Sequence, residues 1–203
     1  MCTPRKKRKR KGEIGLRQSQ ITHWCHQIIC SQAPKGGFYI DATMGKGNDT
    51  LFLCNLAGEA GHVLAFDVQK DALRMTEALL SAQGVRERAE LVLDGHEHMN
   101  QYAKPETADV ICFNFGYLPG GDHRIATAAD TSVEAVNKGL GLLKHGGMMS
   151  LCIYSGGDTG FEEKEKLLEY LKKLPAGEYT VIVNEYFNRG NNPPMPVFVF
   201  KNI

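Results

Sequence analysis

Five short apolar runs punctuate the first three quarters of the chain: Phe38-Tyr39-Ile40, Val63 to Phe66, Leu91-Val92-Leu93, Val110 to Phe113 and Met148 to Ile153. Between them, over 49–57, 70–83, 131–143 and 161–174, lie stretches with the mixed three- and four-residue apolar spacing of amphipathic helices. A further helix is predicted over 16–32, where Leu16, Ile21, Trp24, Ile28 and Ile29 follow that spacing and Ala33-Pro34-Lys35-Gly36-Gly37 ends it. Strands that are apolar almost end to end have both faces covered. Their alternation with helices predicts a parallel sheet with helices on both sides. The last stretch departs from this rule, because the β-rich runs Tyr179 to Phe187 and Val197 to Phe200 are joined by Asn188-Arg189-Gly190-Asn191-Asn192-Pro193-Pro194, with no room for a helix. The predicted fold class is therefore α/β: a doubly wound, Rossmann-like, mostly parallel seven-stranded sheet with a C-terminal antiparallel strand pair.

A chain of 203 residues, 42% hydrophobic and 23% charged, is sized and composed for one globular domain with a full core. It has no apolar stretch of the roughly 20 residues that span a membrane and no apolar signal core at its start, so a cytoplasmic protein with no membrane partner is expected. Six cysteines (Cys2, Cys25, Cys30, Cys54, Cys112 and Cys152) are scattered without a CxxC pair and read as reduced core residues. The formal charge of +1 hides an asymmetry. Residues 5–11 are seven consecutive cations, which leaves 17 Lys and Arg against 23 Asp and Glu elsewhere, a net charge near −6. These features predict a disordered basic tail over 1–15, suited to attracting phosphates, ahead of a single domain over 16–203.

The first strand runs into Asp41-Ala42-Thr43-Met44-Gly45-Lys46-Gly47-Asn48-Asp49-Thr50, a glycine loop that opens a helix. Gly45 and Gly47 let the backbone approach a ligand, and the helix start presents free N–H groups. The second strand ends in Asp67, followed by Gln69, where an acid can accept the two hydrogen bonds of a ribose diol. The third ends in Asp94-Gly95-His96, where a carboxylate can accept from an adenine amino group. Each acid alone is an ordinary helix cap. Three at the ends of successive strands indicate a nucleoside cofactor, because ligands in such sheets bind outside the strands' carboxyl ends. NAD and S-adenosylmethionine (SAM) both satisfy these features. A terminal antiparallel pair and the absence of a second domain favour SAM, a pattern that resembles class I SAM-dependent methyltransferases and implies the strand order 3-2-1-4-5-7-6.

The fourth strand ends in Phe113-Asn114-Phe115-Gly116-Tyr117-Leu118-Pro119-Gly120-Gly121-Asp122. Its Asn, Tyr and Pro resemble a variant of the Asn-Pro-Pro-Tyr motif with which amino-group methyltransferases hold a nitrogen. Together with Asp41-Ala-Thr-Met-Gly45, Asp94-Gly-His-Glu97 and Asn191-Asn-Pro-Pro194, this block resembles the bacterial family named putative rRNA methylases, whose characterised members are tRNA 5-aminomethyl-2-thiouridine methyltransferases. The likeness runs from about residue 20 to residue 203. The chain departs from it at Lys46 and Asn48, where the family carries Asn and His, and at Gly157, where the family carries His.

The resemblance implies methylation of the 5-aminomethyl group of a (2-thio)uridine at the wobble position, in the anticodon region of tRNA, by a homodimer. The implied catalytic residues are Asn114, Tyr117 and Asp122, with His123 as a second candidate base. The implied cofactor residues are Asp41, Thr43, Gly45, Gly47, Asn48, Asp49, Thr50, Asp67, Gln69, Asp94, Gly95, His96 and Asn114. His96-Glu97-His98 lacks a matching third ligand, so no metal is expected. Lys35, Lys46, Arg124 and Arg189 are candidates for a basic rim, and Asn188 and Asn191 to Pro194 for its RNA-facing edge. Methylation of rRNA or of a small amine at the same site, or non-catalytic RNA binding through the tail, are the alternatives.

Overall fold

The computed structural model describes residues 21–116, 129–154, 160–190 and 192–203. The basic tail lies outside these residues. Helix α1 (Ile21–Gln32) leads into β1 (Phe38–Asp41), α2 (Asn48–Ala57), β2 (His62–Phe66), α3 (Lys70–Ala82) and β3 (Ala89–Val92). Then follow β4 (Ala108–Phe115), α4 (Ala129–Leu142), β5 (Leu143–Ile153), α5 (Gly160–Lys172), β6 (Tyr179–Val183) and β7 (Met195–Lys201). Two short 3-10 turns, Arg86–Arg88 and His96–Gln101, flank β3.

The seven strands form one sheet in the order β3-β2-β1-β4-β5-β7-β6. β3 to β5 pair in parallel, and β7 is antiparallel to both β5 and β6. Successive residues of each strand feed opposite layers. Ile40, Leu64, Ile111, Met149 and Val199 join a core with Val136, Leu140, Leu167 and Leu171 of α4 and α5. Tyr39, Val63, Val110, Met148 and Phe198 join a second core with Cys25, Ile29, Leu53, Cys54 and Leu80 of α1, α2 and α3. Each fully buried large aliphatic side chain contributes about 1.5–3 kcal/mol relative to exposure. The continuous apolar runs follow directly from this two-sided burial.

Several boundaries differ from those expected. β3 begins at Ala89 and ends before Leu93, which is exposed. β6 stops at Val183, opposite Val197, and Phe187 lies beyond it in solvent. Cys25, Cys54, Cys112 and Cys152 are buried, but Cys30 is exposed rather than part of the core. No described helix is long and apolar enough to cross a membrane.

Candidate active site

Because β3, β2, β1 and β4 are adjacent and parallel, their carboxyl ends align along one edge of the sheet. Asp94, Asp67, Asp41 and Asn114 therefore follow one another along that edge. The residues Asp41 to Thr50 turn from β1 into α2. Gly45 and Gly47 take φ of 49° and 80°, the left-handed region open to glycine. Asn48 is exposed at the first position of α2.

Asp67 accepts the Gly45 N–H at 3.0 Å through Oδ2 and the Gln69 N–H at 2.9 Å through Oδ1. One carboxylate thus ties the glycine loop to the start of α3. Burial pushes its carboxyl up, against the pull of these backbone donors and the nearby His96. A carboxylate has about four acceptor positions, so two remain for a ligand.

Asp94 accepts from the Gly95 N–H at 2.7 Å, His98 Nδ1 at 2.8 Å and the Tyr102 hydroxyl at 2.9 Å. The His98 bond first, then those from Tyr102 and Gly95, hold it below the usual carboxylate range. His96 parts from His98: its ring lies edge-on to Phe113 and Phe115, with centroids 5.8 and 6.1 Å away. Burial lowers its pKa, which favours the neutral imidazole. Among the described residues no cluster of three or more His, Cys, Asp or Glu suits a metal.

Asp41 is wholly buried. Its Oδ2 accepts the Thr50 hydroxyl at 2.6 Å and its Oδ1 the Thr43 N–H at 3.2 Å. It is one of the expected cofactor residues, and each of its oxygens holds one donor of its own loop. Thr43 in turn accepts the Asn114 backbone N–H at 2.7 Å, joining β1 to β4. The Asn114 side chain donates through Nδ2 to Asp49 Oδ2 at 2.7 Å. Tyr117, Asp122 and His123, together with Gly157 and Asn191, lie outside the described residues.

Three further residues lie beside these strand-end groups. Val68 and Leu93, beside Asp67 and Asp94, are 58% and 44% exposed, a large fraction for apolar side chains at the ends of buried strands. An apolar residue flanking each strand-end acid was the available signal. His26, from α1, sits 2.7 Å from Asp49. Nothing in the spacing of residues 23 positions apart announces that contact.

The strand order and the aligned acidic strand ends define a class I SAM-dependent methyltransferase. Residues 63–200 match the family described as "Putative rRNA methylase". A chloroplastic tRNA (mnm(5)s(2)U34)-methyltransferase of Arabidopsis thaliana is 36% identical over 193 residues, which cover 90% of this chain and 69% of the plant protein. A solved structure of a putative rRNA methylase from Clostridium thermocellum matches with a TM-score of 0.88 and 40% identity, over 92% of this chain and 100% of that one. A protein from Streptococcus mutans described as "a putative methyltransferase", solved in complex with SAH, matches with a TM-score of 0.81 and 34% identity over 90% and 98% of the two chains. The chain belongs to this rRNA methylase family.

Proposed function

We propose that this methyltransferase acts on the primary amine of a 5-aminomethyl-(2-thio)uridine at the wobble position of tRNA, giving the 5-methylaminomethyl form. The observation that carries the reading is the Asn114 amide. Its Nδ2 is committed to Asp49, so its remaining polar atom, Oδ1, is an acceptor. An acceptor at the end of β4 suits a nucleophile that bears N–H groups. The plant relative's name supports the choice of a tRNA wobble uridine.

The residues present fit SAM. The ribose diol suits the free acceptor positions of Asp67, and the adenine amino group suits Asp94, whose acceptor capacity three donors leave unfilled. Val68 and Leu93 offer apolar surface to the base. When bound, SAM supplies an electrophilic methyl carbon whose bond to sulfur breaks as the amine lone pair forms the N–C bond, and the product ammonium loses its proton to solvent.

An alkyl amine is mostly protonated at neutral pH, and an ammonium has no lone pair. With a lysine-like pKa of about 10.4, neutralising it at pH 7 costs on the order of 4–5 kcal/mol. The uracil ring and a partly desolvated site lower that cost. Asn114 Oδ1 then orients the neutral amine, and such alignment contributes several kcal/mol without a dedicated base. The sequence adds Tyr117 as a partner for the uracil ring and Asp122 as the candidate general base.

The test is transfer of labelled methyl from SAM to tRNA purified from cells that stop at the aminomethyl stage, with nucleoside mass spectrometry of the product. Appearance of the methylaminomethyl nucleoside is expected. Demonstrated SAM binding without transfer to that tRNA overturns the substrate and turns attention to rRNA and small amines. Asn114→Ala is expected to lower turnover about 100-fold while SAM affinity is retained.

A further inference from the structure

Ile21, Cys25 and Ile29 recur every four residues of α1 and are buried, which fixes one stripe of this helix against the sheet. His26, beside that stripe, is thereby carried over the start of α2. Two residues one turn apart on α2 receive its ring. Asp49 Oδ1 lies 2.7 Å from His26 Nε2. The Phe52 ring lies parallel to the imidazole, with 3.7 Å between centroids and 5° between planes. Because an ionised carboxylate only accepts, Nε2 carries the proton in this bond.

The other oxygen of Asp49 holds Asn114, so His26 and Asn114 are joined through one carboxylate. A second carboxylate, Asp41, shares the loop, and two such charges resist ionising together. Burial and then the charge on Asp49 push Asp41 up to about 7. Burial pushes Asp49 the same way, but the bonds from His26 and Asn114 outweigh it and hold Asp49 below its usual range. His26 therefore helps decide which of the two acids keeps the charge. The consequence reaches Asn114. A charged Asp49 accepts only the amide NH2, which leaves Oδ1 for the substrate; a protonated Asp49 can donate to Oδ1 and would favour the flipped amide.

We propose that His26 is a positioning residue for methyl transfer, acting through Asp49 to hold the Asn114 amide with Oδ1 as the acceptor for the substrate amine. The inference rests on the reading of Asn114 given above. It assigns to α1, a helix outside the strand-end residues, a part in aligning the nucleophile.

The test compares His26→Leu, which keeps bulk on Phe52 and removes the donor, with His26→Gln, which restores a neutral N–H donor. In the methyl-transfer assay His26→Leu is expected to lower kcat about 10-fold or more, with SAM affinity close to that of the parent and Tm lowered by about 2–10 °C, which leaves the protein folded at the assay temperature. His26→Gln is expected to recover most of the loss. An independent readout is the side-chain NH2 signal pair of Asn114 in nitrogen-15 NMR spectra, assigned by its absence in Asn114→Asp. That pair is expected to shift and exchange faster with water in His26→Leu and to return towards the parent in His26→Gln. Parent-like kcat in His26→Leu, a loss that His26→Gln does not recover, a kcat that falls only in step with the folded fraction, or an Asn114 pair unmoved in His26→Leu each overturns the proposal. If the parent enzyme transfers no methyl to the aminomethyl tRNA, the substrate reading fails by itself, and the Asn114 signals alone decide the role of His26.

Discussion

The Thr50 hydroxyl donates a 2.6 Å hydrogen bond to Oδ2 of Asp41, tying the first turn of α2 back to the end of β1. Both residues are fully buried, so the glycine loop between them is closed from within. The carboxylate sits in the least hydrated part of the site. Its neighbour Asp49, still half-buried and hydrogen-bonded at both oxygens, carries the charge that meets Asn114 and His26.

Stability should report the unusual state of Asp41. The unfolded chain releases this proton near the ordinary value of about 3.9, the folded chain near 7. Between those values the native state holds more proton, so the contribution of this group to stability falls as pH rises. Asp41→Asn keeps an acceptor for the Thr43 N–H and offers a donor to the Thr50 oxygen, without a charge. Relative to the parent, D41N is expected to gain about 1 kcal/mol or more of unfolding free energy between pH 5 and pH 8 in urea titrations. A difference that stays flat over that range contradicts the assignment.

Gly47 is required by packing as well as by conformation. Its φ is 80°, and a Cβ there would lie 2.9 Å from the Thr76 Cα of α3. Gly84 has a similar φ of 68° but nothing within 4 Å of its would-be Cβ. Gly84→Ala should therefore carry only the backbone strain, about 1–2 kcal/mol. Gly47→Ala should cost about 2–4 kcal/mol and lower Tm by roughly 5–15 °C. Equal Tm values for the two variants by thermal melting would show that the loop does not press on α3.

The sheet was legible because burial on two faces leaves a simple trace, an unbroken apolar run, in each central strand. Where the strand bounds differ from those expected, an apolar residue lies outside the core. Leu93 extended the expected third strand, yet it is exposed beside Asp94. Phe187 extended the expected sixth, yet it lies past the last pairing with β7. At the site, Asp67 and Asp94 were legible because their position at strand ends is enough to place them. Asp41 was placed correctly in the chain, but its burial depends on how the loop folds back through Thr43 and Thr50. The contact of His26 with Asp49 depends on how two helices dock, which no local pattern encodes.

Asp67 offers a direct test of the glycine loop. Its two oxygens accept two backbone N–H groups, and an amide in its place presents one oxygen and one NH2. The NH2 would face a donor, so Asp67→Asn should behave almost as badly as Asp67→Ala. Both are expected to weaken SAM binding about 10- to 100-fold by calorimetry. Parent-like affinity in D67N would mean that the loop is held by other contacts.

The exposed apolar residues separate a binding surface from ordinary surface exposure. Val68 and Leu93 flank the acids assigned to the ribose and the adenine, at the end of the sheet where β2 and β3 terminate. Ile182 is just as exposed, at 47%, but it lies on β6 at the opposite edge. A carboxylate placed against the adenine base must be desolvated without a partner, whereas one on β6 stays in water. Val68→Asp and Leu93→Asp are expected to raise the Kd for SAM about 10-fold or more, and Ile182→Asp to leave it unchanged. Because all three side chains are exposed in the absence of ligand, Tm should change little in each. If the three variants bind SAM alike, exposure at Val68 and Leu93 is incidental, and the base must be held elsewhere along the strand ends.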